Sequence, residues 1–334
     1  MKTSDRLLWI DYLRFIACFF VIMVHVPEIG SGIYEKVYTY ISRIAVPIFF
    51  MMSGFLTLPY NGNLRQLFKK RLTRLFFPFL FWSIIYAIIP YFYSEIDVIG
   101  MVRKVFYIPL KLTAPHLWYM YSIIGLTLIT PIISPWLKIA SNKQLLFFLA
   151  IWLVTLFFPY LQLIDLDIEM NEWNSIYTLY YFSGYLGYFV LGFYLKKIII
   201  ETSQVKYFIS FLSIILFSFF IVFTLTKYTQ ATIEITRYLT INIALFSIGV
   251  FMIFKRLPFS IKRLDAIVLS VSKTSFGIYL GHELILRRLV MPFFNLDPFF
   301  NVFSRPVITF ITLLITYLII LGISKLPYSK YLIG

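Results

Sequence analysis

The sequence predicts an all-α protein that crosses a membrane about ten times, with both termini in the cytoplasm. Apolar residues make up 60% of its 334 residues, and charged residues only 13%. A protein surrounded by water cannot cover its surface with so few charges. Long apolar runs also recur from one end of the chain to the other. This composition excludes a soluble enzyme, a disordered chain and a fibrous protein, and it favours a single membrane-embedded domain, 1–334.

The apolar runs have the length of membrane-spanning helices, about 20 residues each. They lack the two-residue alternation of a membrane β-barrel. The first run is expected to be retained rather than cleaved as a signal peptide, because Asp11 and Arg14 interrupt it. The predicted spans are 7–26, 38–58, 75–93, 117–136, 144–162, 177–195, 207–226, 237–254, 267–287 and 306–324.

The basic residues predict the orientation. If the N-terminus is inside, roughly two thirds of the 30 Lys and Arg residues lie in cytoplasmic segments. This distribution accounts for the net charge of +15 without a nucleic-acid partner. Acidic residues crowd a predicted outer loop instead, at Asp165, Asp167, Glu169 and Glu172. The outer stretch 94–116 is amphipathic, and it either lies flat on the membrane or dips into it.

Three polar residues interrupt the first predicted span, where ionisable groups are costly and usually face the bundle interior. Arg14 and His25 share one helix face and lie about 16 Å apart along the axis. Asp11 lies three residues before Arg14, so the two side chains can pair. The pair fits a structural ion pair as well as a functional one. His25 taken alone is typical of a side chain that touches the outer headgroups.

A basic cluster, FKKRLTR, stands at the cytoplasmic start of the third predicted span. Arg71 and Arg74 face the same way because they are three residues apart, and Lys69 and Lys70 add charge. Paired guanidinium groups suit the bidentate recognition of phosphate. The segment alone is more typical of a basic edge that meets anionic lipid and sets the topology.

Aromatic residues and a histidine mark the outer start of the fourth predicted span, in HLWYMY. An interfacial aromatic belt accounts for Trp118 and Tyr119 beside His116. Stacking against a sugar ring is the alternative interpretation.

The ninth predicted span contains SFGIYLGHELIL. Tyr279 and His282 lie on the same helix face, and Glu283 follows. A histidine and a glutamate near the middle of a membrane need partners, and Arg14 is a candidate for that role.

Other site patterns are missing from the sequence. The three histidines have no zinc-site spacing, so no metal is expected. There is no phosphate-binding Gly-Lys-Ser/Thr loop and no Gly-x-Ser-x-Gly nucleophile motif. Ser53 and Gly54 are interpreted as small residues at a helix contact.

Taken in order, these motifs resemble the acyltransferase 3 family of bacterial integral membrane O-acyltransferases. IDYLRFIACFFVIMVHV is similar to its first-helix signature, with Arg14 and His25 as the spaced pair. RLTR, from Arg71 to Arg74, is similar to its Arg-x-x-Arg motif. RIAVPIFFMMSGFL, HLWYMYSIIGL and SFGIYLGH resemble its second, fourth and ninth helices.

The resemblance implies an O-acyltransferase, most simply an O-acetyltransferase, in the bacterial plasma membrane. An acyl group would pass from cytoplasmic acyl-CoA, such as acetyl-CoA, to a hydroxyl of a surface glycan or its lipid-linked precursor. The expected partners are this acceptor, membrane lipids, and either polysaccharide-synthesis proteins or a second copy of the chain. Some family members carry an extracellular hydrolase-like domain. The chain ends soon after the tenth predicted span, so both steps are expected in the membrane domain.

The resemblance also implies roles for the matched residues. His25 would be the general base, Arg14 would support the donor arm, and Asp11 would hold Arg14. The phosphates of coenzyme A would bind Arg71, Arg74 and Lys70. The transfer path or acceptor pocket would contain His116, Trp118, Tyr119, Tyr279, His282 and Glu283.

Two other functions are compatible with the same residues. A polar stripe through a helix bundle is equally natural in a transporter or flippase for a polysaccharide or lipid-linked sugar. The absence of obvious inverted repeats counts against that interpretation. A degenerate acyltransferase that serves as an assembly partner would bind acyl-CoA without turnover.

Overall fold

A computed structural model describes residues 7–28, 32–161, 179–228, 236–257, 260–294 and 302–334. These residues form helices and contain no β-strand, so the predicted all-α class is confirmed. Each of the predicted spans overlaps a helix. The predicted acidic outer loop, with Asp165, Asp167, Glu169 and Glu172, lies outside the described residues.

The principal helices follow the apolar runs in chain order. A short turn at Leu64–Gln66 and a π-helical turn at Leu67–Leu72 lead directly into the fourth of them. The principal helices are α1 (Leu8–Met23), α2 (Ile33–Ser42), α3 (Ala45–Thr57), α4 (Thr73–Phe92), α5 (Val98–Phe106), α6 (Trp118–Ile139), α7 (Asn142–Thr155), α8 (Tyr185–Lys197), α9 (Gln204–Tyr228), α10 (Ile241–Arg256), α11 (Lys262–Ile285) and α12 (Ser304–Ile323).

Six helical stretches within the described part of the chain are long and apolar enough to cross a membrane. The chain is therefore a multi-pass membrane protein. The total of ten spans and the cytoplasmic position of both termini remain predictions. The six stretches are Ile33–Thr57, Leu64–Phe92, Pro115–Ile139, Asn142–Tyr160, Gln204–Thr226 and Ser304–Ile323.

Helix α1 lies at the centre of the bundle. It packs against α3, α10, α11 and α12, and Leu13, Ala17 and Ile22 are completely buried. Because α1 is surrounded by other helices, its polar residues face protein rather than lipid. This position brings Asp11 and Arg14 into contact with residues of α11.

Small residues allow α3 and α8 to pack with their backbones in contact, as is common between membrane helices. A Cβ atom on Gly54 would lie 1.8 Å from the Phe189 carbonyl oxygen. A Cβ atom on Gly192 would lie 2.0 Å from the Met51 carbonyl oxygen. Gly54 therefore has the helix-contact role that the sequence predicts.

Helix α5 lies in the predicted amphipathic stretch. The Asp97 side chain accepts a hydrogen bond of 2.7 Å from the Gly100 amide and caps the helix start. Val98, Val102 and Phe106 are exposed at helical spacing. Such an apolar stripe fits a helix lying at a membrane surface.

Candidate active site

The predicted pair of Asp11 and Arg14 exists, and a third residue joins it. The Ser272 hydroxyl of α11 donates a 2.5 Å hydrogen bond to Asp11 Oδ1. Its oxygen accepts one of 3.1 Å from Arg14 Nη1. The direct distance from Arg14 Nη1 to Asp11 Oδ1 is 3.8 Å. Ser272 therefore orients both charged groups and links α1 to α11, a contact that the sequence could not indicate because the residues are far apart along the chain.

A cavity of about 1020 Å³ lies beside this cluster. Arg71 and Arg74, at the end of the π-helical turn and the start of α4, line it together with Arg14. The Arg71 guanidinium also lies 4.9 Å from the centre of the Tyr60 ring. The structure thus brings the predicted phosphate-binding arginines into one cavity with the arginine of the first helix.

The cavity carries a strong positive charge. Its cationic lining residues also include Lys70 and Lys273, whereas Asp11 is the only carboxylate that lines it within the described part of the chain. Lys273 directly follows Ser272 on α11, and the sequence indicates it only as part of the cytoplasmic charge. This charge distribution suits a ligand with several phosphate groups.

Much of the remaining lining of the cavity is apolar or aromatic. Tyr119 and Tyr279 belong to this part, and their ring centres are 5.3 Å apart. Both side chains are buried. The apolar lining residues are Leu7, Ile10, Val21, Val46, Phe49, Leu56, Leu75, Ile123, Phe189 and Phe276.

All three histidines of the chain meet in one cluster. The ring centres of His25 and His116 are 5.9 Å apart, and those of His116 and His282 are 5.0 Å apart. The remaining pair, His25 and His282, is separated by 5.2 Å. His116 and His282 are buried, whereas the His25 side chain is 20% exposed. The sequence predicts each histidine as a site residue but not their mutual contact.

Main-chain carbonyls orient two of these histidines. His282 Nδ1 lies 2.6 Å from the Tyr279 carbonyl oxygen, and His116 Nε2 lies 3.4 Å from the Leu280 carbonyl oxygen. A carbonyl oxygen can only accept, so each of these nitrogens carries the hydrogen. The other ring nitrogens, His282 Nε2 and His116 Nδ1, are buried and receive no hydrogen bond from the described residues.

Glu283 lies between His25 and an arginine. Its Oε2 atom is 3.7 Å from His25 Nδ1, and its Oε1 atom accepts a 3.0 Å hydrogen bond from Arg287 Nε. The expectation that Arg14 partners His282 and Glu283 is wrong. Arg287 pairs with Glu283 because it lies one helical turn beyond it on the same face, and His282 Nδ1 is bound by the Tyr279 carbonyl. Arg14 is held by Asp11 and Ser272.

Trp118 and Tyr119, at the start of α6, pack against other aromatic side chains of the protein. Trp118 lies against Tyr185 and Tyr238, with ring centres 5.1 and 5.5 Å away. Tyr119 is buried against Phe50, at 4.7 Å between ring centres. The interfacial-belt interpretation is therefore wrong for Tyr119, because a belt residue faces the lipid headgroups whereas protein side chains enclose this ring.

Tyr279 contacts both parts of the site. Its hydroxyl donates a 2.5 Å hydrogen bond to the His116 carbonyl oxygen. Its ring centre lies 5.7 Å from that of His116 and 6.0 Å from that of His282. Tyr279 and Tyr119 line the cavity, whereas the three histidines do not. Tyr279 thus joins the cationic cavity to the histidine cluster, and Tyr119 packs against Tyr279.

The cluster is a poor fit to a metal centre. His25, His282 and Glu283 offer ligand atoms within 4.8 Å of one another. A tetrahedral zinc site requires ligand atoms roughly 3.4 Å apart. Glu283 already pairs with Arg287. The positive charge of that guanidinium would repel a cation bound beside the carboxylate. The arrangement is better suited to proton transfer by imidazole groups.

Comparison with known protein families matches residues 7–324 to the family model Acyl_transf_3, described as an acyltransferase domain. This range covers nearly the whole chain and contains every residue of the cavity and of the histidine cluster. No curated protein and no solved structure matches the chain.

Proposed function

This chain belongs to the acyltransferase 3 family, and from that premise we propose that it transfers an acyl group from cytoplasmic acyl-CoA to a hydroxyl of an extracytoplasmic glycan. Acetyl-CoA is the simplest donor, and a surface polysaccharide or its lipid-linked precursor is the acceptor. The protein acts in the bacterial plasma membrane. The observation that carries this proposal is the succession of a cationic cavity, two tyrosines and a histidine cluster across one bundle.

The cavity supports a coenzyme A thioester as the donor. Coenzyme A has a phosphate-rich head and a long uncharged arm. The head matches Arg71 and Arg74, because paired guanidinium groups bind phosphate through parallel hydrogen bonds. The arm matches the apolar and aromatic side chains that also line the cavity, among them Tyr119 and Tyr279. In the proposed reaction the thioester reaches the histidines past Tyr279, whose ring lies beside His116 and His282.

His25 is the general base of the proposed reaction. The acceptor hydroxyl oxygen attacks the thioester carbonyl carbon while its proton passes to the imidazole. The tetrahedral intermediate then expels the coenzyme A thiolate, which recovers the proton from the imidazolium. Glu283, 3.7 Å from Nδ1, leaves Nε2 as the basic nitrogen and stabilises the imidazolium. Arg14 supports the donor arm from the other side of the tyrosines.

The free acceptors of the histidine cluster support a polyhydroxyl substrate. His116 Nδ1 and His282 Nε2 receive no hydrogen bond within the described chain. Buried acceptors without a donor are costly. The hydroxyl groups of a sugar supply several donors in a small volume. A hydroxyl held in this way lies beside His25, whose ring contacts both other histidines.

Vesicles containing the purified protein test the proposal. They are loaded with radiolabelled acetyl-CoA and supplied outside with lipid-linked oligosaccharide from the source cells. Covalent label on the oligosaccharide supports the acyltransferase. Movement of the oligosaccharide without label would favour a transporter instead. Binding of acetyl-CoA with neither outcome would indicate an assembly partner. The family match favours the enzyme among these three.

A further inference from the structure

The main chain just before His25 is held by an arginine from α12. Helix α1 ends at Met23, and His25 lies in the following turn, where its amide donates a 2.9 Å hydrogen bond to the Ile22 carbonyl. The last carbonyls of a helix lack intrahelical partners. The Met23 carbonyl oxygen accepts a 3.3 Å hydrogen bond from the Val26 amide in the same turn. Arg305 adds a side-chain donor, because its Nε and Nη2 atoms lie 3.3 and 3.2 Å from that oxygen.

Arg305 is itself fixed by a buried network. Its Nη1 atom lies 3.1 Å from Glu35 Oε2 and 2.8 Å from Thr39 Oγ1. Arg305 and Glu35 are each only 2% exposed. The guanidinium plane is therefore held on one side by α2 and presented to the end of α1 on the other. A planar group bound in this way transmits a defined position better than a flexible ammonium group would.

The buried ion pair of Arg305 and Glu35 is not explained by stability alone. Removing two charges from water costs free energy that their attraction often does not recover, and apolar replacements are frequently neutral or stabilising. The contacts instead tie α2 and α12 to the segment that carries His25. Neither charged group lines the donor cavity, so a direct role in donor binding is not indicated.

A second arginine, Arg287, binds the main chain at His25 itself. Arg287 Nη2 lies 3.3 Å from the His25 carbonyl oxygen, while its Nε atom binds Glu283. The carbonyls of Met23 and His25 thus have guanidinium donors from two different parts of the chain. The main chain that carries the His25 imidazole is therefore held by contacts from outside α1 as well as by α1 itself.

We propose that Arg305, oriented by Glu35, is a positioning residue that places His25 for proton transfer. This inference rests on the proposed function, in which His25 is the base. Arg305 acts through the Met23 carbonyl and does not touch the reacting atoms. Small displacements of a catalytic group reduce turnover strongly, by about 100-fold for an error near 1 Å.

Kinetics of the full-length protein in vesicles provide the first test. Arg305→Met combined with Glu35→Met removes both charges and fills similar volume. We expect kcat to fall about 10-fold or more while the KM for acetyl-CoA stays within about twofold. The matched control is Arg288→Met with Glu95→Met, a more exposed pair 2.7 Å apart that we expect to leave both constants unchanged. An unchanged kcat in the folded Arg305 variant would overturn the proposal.

Arg305→Lys provides a second variant should the double replacement fail to fold. It keeps the charge beside Glu35 but cannot donate from two nitrogens of a planar group to the Met23 carbonyl. We expect the same selective fall in kcat, by about 10-fold. Wild-type turnover in the folded Arg305→Lys variant would also contradict the positioning role.

Chemical modification tests the inference without relying on turnover. Diethyl pyrocarbonate carbethoxylates imidazole nitrogens, and mass spectrometry of the intact protein's peptides locates the modified histidines. We expect the rate at His25 to change by about threefold or more in both Arg305 variants, because orientation and exposure govern imidazole reactivity. His116 and His282 serve as buried internal controls.

Failure of the proposed function and failure of the positioning role give different results. If wild-type protein transfers no acyl group, the proposed function fails, and the modification rates still report whether Arg305 positions His25. If wild-type protein is active and both the rates and kcat of the folded variants equal those of wild type, the positioning role alone is refuted.

Discussion

The Tyr279 hydroxyl donates a 2.5 Å hydrogen bond to the His116 carbonyl oxygen, and this contact joins the two parts of the proposed active site. Tyr279 belongs to the lining of the cationic cavity, whereas His116 belongs to the histidine cluster. The proposed thioester must therefore cross a boundary that the tyrosine helps to form. The predictions below begin at this boundary.

Tyr279→Phe removes the hydrogen bond and keeps the ring. We expect a loss of about 1 kcal/mol in the free energy of unfolding and a fall of about 10-fold in kcat, because the His116 segment loses its anchor. Thermal unfolding and steady-state acetyl transfer check this. Tyr207→Phe is the control, since its hydroxyl donates to the Met252 carbonyl at 2.9 Å, away from the site. Equal effects of both changes on kcat would contradict the prediction.

His25→Gln removes the proposed base and keeps a polar side chain of similar size. We expect kcat to fall about 100-fold to 10,000-fold, the usual contribution of a general base. Acetyl-CoA binding, measured by equilibrium dialysis, should remain near the wild-type value because His25 does not line the cavity. Wild-type turnover by this variant would remove His25 from the mechanism.

Glu283→Gln keeps the shape of the side chain but cannot stabilise an imidazolium. We expect kcat to fall about 10-fold or more with little change in KM. The control is Glu95→Gln, since Glu95 pairs with Arg288 but lies outside the histidine cluster. If the Glu283→Gln and Glu95→Gln variants had the same kcat, the role of Glu283 beside His25 would be refuted.

Arg71→Ala and Arg74→Ala remove the proposed phosphate contacts. A charge-assisted hydrogen bond contributes about 1.5–3 kcal/mol, so each change should raise the KM for acetyl-CoA by about 10-fold or more. Arg65→Ala is the matched control because Arg65 is exposed and does not line the cavity. An unchanged KM in both test variants would leave these arginines with a topological role only.

Acidic pH should weaken a contact between α1 and the start of α11, just before predicted span 267–287. The Tyr12 hydroxyl donates a 2.6 Å hydrogen bond to Asp265, and Ser260 donates another of 2.8 Å. These donors hold the pKa of Asp265 below its usual value. A depressed pKa in the folded protein contributes stability above the unfolded value, near pH 4, that is lost as the pH falls through the folded value.

Tyr12→Phe tests this linkage. The variant lacks the Tyr12 hydroxyl, whose hydrogen bond lowers the pKa of Asp265 more than that of Ser260 does. The pKa of Asp265 should therefore return toward the ordinary value. The Tm of the variant should then fall less steeply than that of the wild type between pH 5 and about pH 2. Parallel curves for the two proteins would show that the hydrogen bond does not govern the pH dependence.

Local features account for what could be predicted. The apolar runs indicate helices because a bilayer leaves backbone groups no other partners. The pair of Asp11 and Arg14 follows from helical spacing, as does the common direction of Arg71 and Arg74. The boundary of α1 is harder to predict: the helix ends at Met23, so the regular rise used to relate Arg14 to His25 does not extend to the histidine itself.

Contacts between distant parts of the chain account for the rest. The role assigned to Arg14 beside Glu283 is wrong because no periodicity indicates which helix faces which. Ser272 and Lys273 resemble ordinary residues of a moderately polar helix. Only their packing against α1 reveals a bridging hydroxyl and a further cation in the cavity.

The sequence by itself determined a helical membrane protein and the short list of polar residues that lipid could not tolerate. Hydrophobicity and helical spacing are properties of neighbouring residues, so a chain displays them without being folded. The tertiary structure alone decided that His25, His116 and His282 meet, and that Arg305 reaches the end of α1. Those contacts join residues up to 282 positions apart, and only the packing of complementary helix surfaces selects them.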